Sequence, residues 1–96
     1  MSPIKELVQI PFATLAFYKY EENGLIIYEF DATECQPPEP MVNAINALKM
    51  LKSKKERVIG LFFHEPNPLY ARILDSISYD AQELENGDFK IIFRLK

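Results

Sequence analysis

Two proline-rich joints constrain this chain more than any other feature in it. Pro37-Pro38-Glu39-Pro40 links an apolar segment ending at Asp31 to an amphipathic segment that begins at Met41. His64-Glu65-Pro66-Asn67-Pro68 repeats the layout one unit later. Proline fixes φ and carries no amide hydrogen, so neither joint suits a helix interior or a central strand. It does suit the first turn of a helix, where amide hydrogens have no intrahelical partner. The chain therefore reads as strand, proline turn, helix, twice over.

The segments around the joints follow from their periodicities. The residues before Ala13 hold Pro3 and Pro11 and read as an arm with a short extended piece at Leu7–Ile10. Ala13 to Tyr20 is rich in strand formers. Asn23-Gly24 follows, a hairpin signal between two such runs. The return strand, Leu25 to Asp31, begins apolar on both faces and so predicts an inner strand. Thr33 to Gln36 is a loop. Met41, Ala44, Ile45, Ala47, Leu48 and Leu51 recur at helical spacing. Lys49, Lys52, Lys54 and Lys55 gather at the end of that helix, where positive charge suits the dipole.

Val58 to Phe63 is a continuous apolar run, as in a strand covered on both faces, and Gly60 within it signals a close approach by a neighbour. Leu69, Ile73, Leu74 and Ile77 predict a second helix, and Tyr79 to Glu85 a polar strand. Asn86-Gly87 is a second hairpin signal. Phe89, Ile91, Phe93 and Leu95 then alternate with Lys90, Arg94 and Lys96.

These elements predict an α+β fold: a two-layer β-α-β-α-β-β sandwich, with a mixed sheet and two helices on one face, plus an N-terminal hairpin strand. Residues 1–24 form the arm and added strand, and residues 25–96 the main domain. A chain of 96 residues fits one domain. If the two strands feeding the helices lie side by side and parallel, their proline turns become neighbours. Such an edge is where ligands bind in open α/β sheets.

Composition narrows the function classes. A net charge of −3 argues against a nucleic-acid partner, which would want a basic face. No stretch has the roughly 20 apolar residues that span a bilayer, and the start has no basic region leading into a long apolar run. The expected location is cytoplasmic. Cys35 is the only cysteine, which excludes an internal disulfide and a cysteine-cluster metal site. No cofactor and no metal are expected.

The ligand or partner edge comprises Asp31, Pro37, Pro38, Glu39, Pro40, His64, Glu65, Pro66, Pro68 and Tyr70. His64 is the only histidine. It suits a ligand or acid–base role, or a plainer one in which its imidazole bonds to the 37–40 loop and fixes the two turns together. Asp31, Glu39 and Glu65 could share a proton or hold a cation. Alternatively they satisfy loop amides and sit at helix N-termini. Tyr70 either packs under the second turn or points its hydroxyl into the crevice. Cys35 is a candidate thiol before a helix start, although Glu34 opposes a thiolate there. No catalytic residue is assigned.

Asp31-Ala-Thr-Glu-Cys-Gln-Pro37-Pro-Glu-Pro40 resembles the first-turn motif of the TusA (SirA-like) superfamily, an aspartate, a short loop, then Cys-Pro-x-Pro. His64-Glu-Pro-Asn-Pro-Leu-Tyr70 is similar to a related group, the domain-of-unknown-function family 2249, with Pro-Pro-Glu-Pro at its first turn and His-Asp/Glu-Pro-x-Pro-Leu-Tyr at its second. The resemblance covers residues 29–96. It implies two helices on a four-stranded mixed sheet. TusA proteins hold a persulfide on the cysteine of Cys-Pro-x-Pro. The matching position here is Pro37, with Cys35 two residues upstream, so that activity does not carry over. Members of the second group occur joined to hemerythrin-like domains, which implies redox or nitrogen-oxide metabolism by association only.

The resulting expectation is a small binding or interaction module for a protein partner or small ligand. Its alternatives are a sulfur-relay protein using Cys35 and an accessory subunit of a redox enzyme. With both helices on one face, Phe17, Tyr18, Tyr20, Tyr28 and Phe30 predict an aromatic open face used for a homodimer, or covered by the Met1–Phe12 arm.

Overall fold

The computed structural model describes residues 4–96. Eight elements follow one another: β1 (Glu6–Val8), β2 (Phe17–Glu22), β3 (Leu25–Ala32), α1 (Glu39–Leu48), β4 (Glu56–Phe62), α2 (Asn67–Ile73), β5 (Ile77–Glu83) and β6 (Phe89–Leu95). The strands form a single sheet in the order β1-β2-β3-β4-β6-β5. β3 and β4 pair parallel, and every other pair is antiparallel. The fold is α+β, a six-stranded mixed sheet under two helices.

Alternation along the strands sorts the side chains into two layers. Phe17, Tyr28, Phe30, Ala32, Val58, Phe62, Ile91 and Phe93 point to the helix side. There they share one core with Ala44, Ala47 and Leu48 of α1 and Leu69, Tyr70 and Ile73 of α2. At its centre the Phe30 ring lies 4.7 Å from Phe17 and meets Phe62 edge-on at 5.7 Å. Phe30 pairs with Gly60 across the parallel ladder. A Cβ on Gly60 would come within 2.7 Å of the Phe62 ring and 2.9 Å of the Phe30 ring. The glycine is thus the space into which two rings pack, and the approach expected at that position is confirmed.

The opposite face holds a small cluster of Tyr20, Ile27 and Ile59, with Leu25 and Ile92 packed against it. Of the five aromatics expected there, Phe17, Tyr28 and Phe30 belong to the helix-side core instead. The shift follows from register: Tyr18 opposes Glu29 and Tyr20 opposes Ile27, which leaves Lys19 opposite Tyr28 on the helix side. Long polar side chains lie over this cluster. The Lys5 ammonium sits 4.9 Å from the centre of the Tyr20 ring and 3.0 Å from Glu29, which accepts a 2.7 Å bond from the Tyr20 hydroxyl.

Among the described residues of the arm, Lys5 is the one that reaches over this cluster. The arm forms β1 at the sheet edge, at Glu6–Val8 rather than Leu7–Ile10, and then crosses to the helix side, where Ile10 is buried in the main core. A turn at Ile10–Ala13, with Phe12 at φ 66°, leads the chain over α1. There Asn43, fully buried, receives it. The Asn43 side-chain oxygen accepts the amides of Thr14 (2.8 Å) and Leu15 (3.1 Å), and its nitrogen donates to the Thr14 hydroxyl and the Glu39 carbonyl, both at 2.9 Å. These bonds occupy the segment before Phe17, so β2 starts at Phe17 rather than Ala13.

Two boundaries differ from the sequence periodicity. α2 ends at Ile73, leaving Leu74 54% exposed, and Ile77 opens β5 opposite Leu95. Spacings of four fit Ile73 and Ile77 to a helix, but alternation through Ile77, Tyr79 and Ala81 fits a strand equally, and pairing with β6 decides. The two hairpins also differ. Asn23 and Gly24 both take positive φ, as a two-residue turn of the primed type requires. Leu84 and Asp88 instead close a three-residue loop with Gly87 alone at positive φ, a turn that ends in a glycine bulge.

Two substitutions test this packing by urea unfolding. Gly60→Ala is expected to destabilise by about 1–3 kcal/mol through overpacking against Phe30 and Phe62. Asn43→Ala, which strands two backbone amides, is expected to cost about 2–3 kcal/mol. A change below a few tenths in either case would contradict the corresponding assignment.

Candidate functional site

The site begins at the ends of two strands. Ala32 and Phe62 are the last paired residues of the parallel β3–β4 ladder. The chain leaves both at the same edge, so the two proline turns meet in space. Between them lies a pocket of about 330 Å³. Its first wall is Cys35, Pro37, Pro38, Pro40 and Met41, and its second is Phe63, His64, Glu65, Pro66 and Pro68, with Ala32 and Phe62 also lining it.

Local sequence explains each wall. Gln36 accepts the Glu39 amide at 3.0 Å, and Pro38 accepts the Val42 amide at 3.0 Å, which starts α1 directly from the prolines. In the second turn Glu65 accepts the Asn67 amide at 2.9 Å, and Pro66 accepts the Leu69 amide at 3.0 Å. Phe63 is carried past the end of β4 and is 54% exposed. An apolar side chain this open, at the rim of an apolar pocket, is contact area available to a ligand.

Most of the residues singled out in the sequence converge here, but not all. Pro37, Pro38, Pro40, His64, Glu65, Pro66 and Pro68 line the pocket, and so does Cys35. Asp31 does not; its carboxylate accepts the Thr33 amide (2.9 Å) and hydroxyl (2.6 Å) in a local turn. Glu39 also lies outside the lining and accepts the Thr14 hydroxyl at 2.5 Å. Tyr70 packs beneath: its ring stacks on Tyr79 at 3.8 Å, and its hydroxyl donates to Glu65 at 3.1 Å. Burial and that glutamate raise the Tyr70 pKa, so the phenol stays protonated and holds Glu65 from below. His64 is exposed and stands edge-on to Phe63, ring centres 4.5 Å apart, rather than bonding to the 37–40 loop.

The electrostatics disfavour a thiolate. Burial pushes the Cys35 thiol up, and a hydrogen bond to Glu39 and the charges of Glu39, Asp31 and Glu34 push it further in the same direction. Among the described residues, no three of histidine, cysteine, aspartate and glutamate converge in a way that could hold a metal ion. No described helix is long and apolar enough to cross a membrane.

Met41, Phe62 and Phe63 also line the pocket, and sequence reasoning did not assign them to it. Met41 looked like core, and it does pack on the core as well. Phe63 gave a usable signal as an apolar residue directly before the second proline turn. A wider groove of about 530 Å³ separates the helices, with Ile45, Leu48, Ile73, Ile77 and Leu95 among its walls. It contains none of the flagged residues and is the gap left where α1 and α2 rest on the sheet.

Comparison with protein-family models, with curated proteins and with solved structures finds no match for this chain.

Alkylation kinetics test the state of Cys35. Near neutral pH, iodoacetamide is expected to modify it more slowly than N-acetylcysteine, with the rate rising only above the ordinary thiol range. An equal or faster rate would show an activated thiol.

Proposed function

We propose that this protein is a small non-enzymatic binding module, working in the cytoplasm, whose ligand or partner side chain enters the pocket between the proline turns. One observation carries the reading: an apolar pocket at the edge shared by two parallel strands, walled on both sides by rigid proline rings. Prolines lose little freedom on binding, so such walls hold their shape whether or not the pocket is filled. The volume is in the range of pockets that take small organic molecules, roughly 300–1,000 Å³. Motif likeness supports the same reading. The chain resembles the TusA-like group that has Pro-Pro-Glu-Pro in place of the sulfur-carrier cysteine, a pattern that keeps the turn and discards the nucleophile.

A sulfur-relay role for Cys35 draws no support from the site, because burial and three neighbouring carboxylates oppose the thiolate that such a role needs. Nor does any feature of the pocket favour an accessory role in a redox enzyme.

A fragment screen by NMR tests the proposal. Binders are expected to shift the Met41 methyl and His64 ring signals. His64→Ala should weaken those binders about tenfold. It should also leave stability within about 0.5 kcal/mol, as for an exposed residue without internal bonds. Binders that map elsewhere, or that tolerate His64→Ala, would remove the pocket from the function.

A further inference from the structure

The ends of parallel strands, capped by helix N-termini, usually hold anions, because free amide hydrogens point there. This pocket is built in the opposite sense. Residues 37, 38, 40, 66 and 68 are proline and have no amide hydrogen to offer. Two of the amides beside them are bonded within the turns, that of Glu39 to Gln36 and that of Asn67 to Glu65. No lysine or arginine lines the pocket. Four lysines gather instead at positions 49–55, between the end of α1 and the start of β4. The entry to β4 lies at the opposite end of the ladder from Phe62.

What the pocket does offer is a carboxylate. Glu65 lines it, half-buried. One of its oxygens accepts the Tyr70 hydroxyl, and the other has no hydrogen-bond partner among the described residues. On the other wall, burial first and then Glu39, Asp31 and Glu34, all outside the lining, push the Cys35 thiol up, so it adds no negative charge to the pocket. The remaining surface is proline, methionine, phenylalanine and alanine, with the His64 ring. Phe63 presents an exposed ring, and aromatic ring faces attract cations.

We infer that the pocket selects a small apolar molecule bearing one amine, with its body against Met41, Phe62 and Phe63 and its ammonium at Glu65, and that it rejects phosphates and carboxylates. The inference rests on the binding-module reading of the same pocket and names the ligand class. A matched pair of an ammonium and a half-buried carboxylate gains a charge-assisted hydrogen bond. An anion there would meet the charge of Glu65, with the His64 ring and the Cys35 thiol as the side-chain donors in the lining.

An NMR titration of the intact protein with probes of one shape and different charge decides the matter. Phenylbutylamine, phenylbutanol, phenylbutyrate and inorganic phosphate are each followed by the Met41 methyl and His64 ring signals. The amine is expected to bind about tenfold more tightly than the alcohol, while the butyrate and phosphate leave both signals unmoved. Glu65→Gln keeps an acceptor for the Tyr70 hydroxyl but removes the charge. In that variant the amine and alcohol should bind alike. If the alcohol or the butyrate shifts the pocket signals as well as the amine does, or if Glu65→Gln leaves the preference intact, the amine assignment is wrong and the binding reading survives. If no probe moves either signal, both fall together.

Discussion

The whole arrangement depends on a ring seated where a side chain is missing. Phe30 and Gly60 face each other across the one parallel pair in the sheet, and the Phe30 and Phe62 rings crowd the place of the absent Cβ. Phe17 and Phe62 close around it. Packing of this kind tolerates neither an added methyl nor a register slip, since a shift of one residue would turn Phe30 to the other face. With the register held, β3 and β4 end together at Ala32 and Phe62, and the two proline turns have to meet. The pocket is a geometric consequence of the core.

At that edge the same prolines perform two tasks. They start the helices without using amide hydrogens, which lets α1 and α2 begin immediately after tight joints. By the same property they strip the edge of the donors that would otherwise attract anions. The pocket that results is lined mainly by apolar side chains, with Glu65 and His64 among them. Cys35 sits within it as a protonated thiol, contributing a soft apolar surface.

The arm is more than an appendage. Its residues extend the sheet by an edge strand, bury Ile10 in the main core and place Thr14 and Leu15 on the amide of Asn43. All four bonding positions of that amide are used, so a fully buried polar group becomes a specific lock between the arm and α1. The lock had a signal in the sequence. Asn43, Ala47 and Leu51 are spaced by four, so an asparagine stands in an otherwise apolar row. Its partners could not be read, because Thr14 lies 29 residues away with nothing local to link them.

The sequence by itself determined the element types, the two strand–turn–helix joints, the inner position of β3 and the close approach at Gly60. These are matters of local period and of the fixed chemistry of proline and glycine. Most of the pocket was legible as well, since it is built from those joints: seven of the ten edge residues named from the sequence, Pro37, Pro38, Pro40, His64, Glu65, Pro66 and Pro68, line it. Tertiary structure decided what depends on partners distant in the chain. Asp31 and Glu39 are held by hydroxyl and amide donors outside the pocket, and Tyr70 is turned beneath it by its stack on Tyr79. Ile77 was given to a strand because β6 offered seven paired positions, and Phe17, Tyr28 and Phe30 went to the helix side because hairpin register set their face. Period can say that a side chain alternates; only pairing says which way it starts.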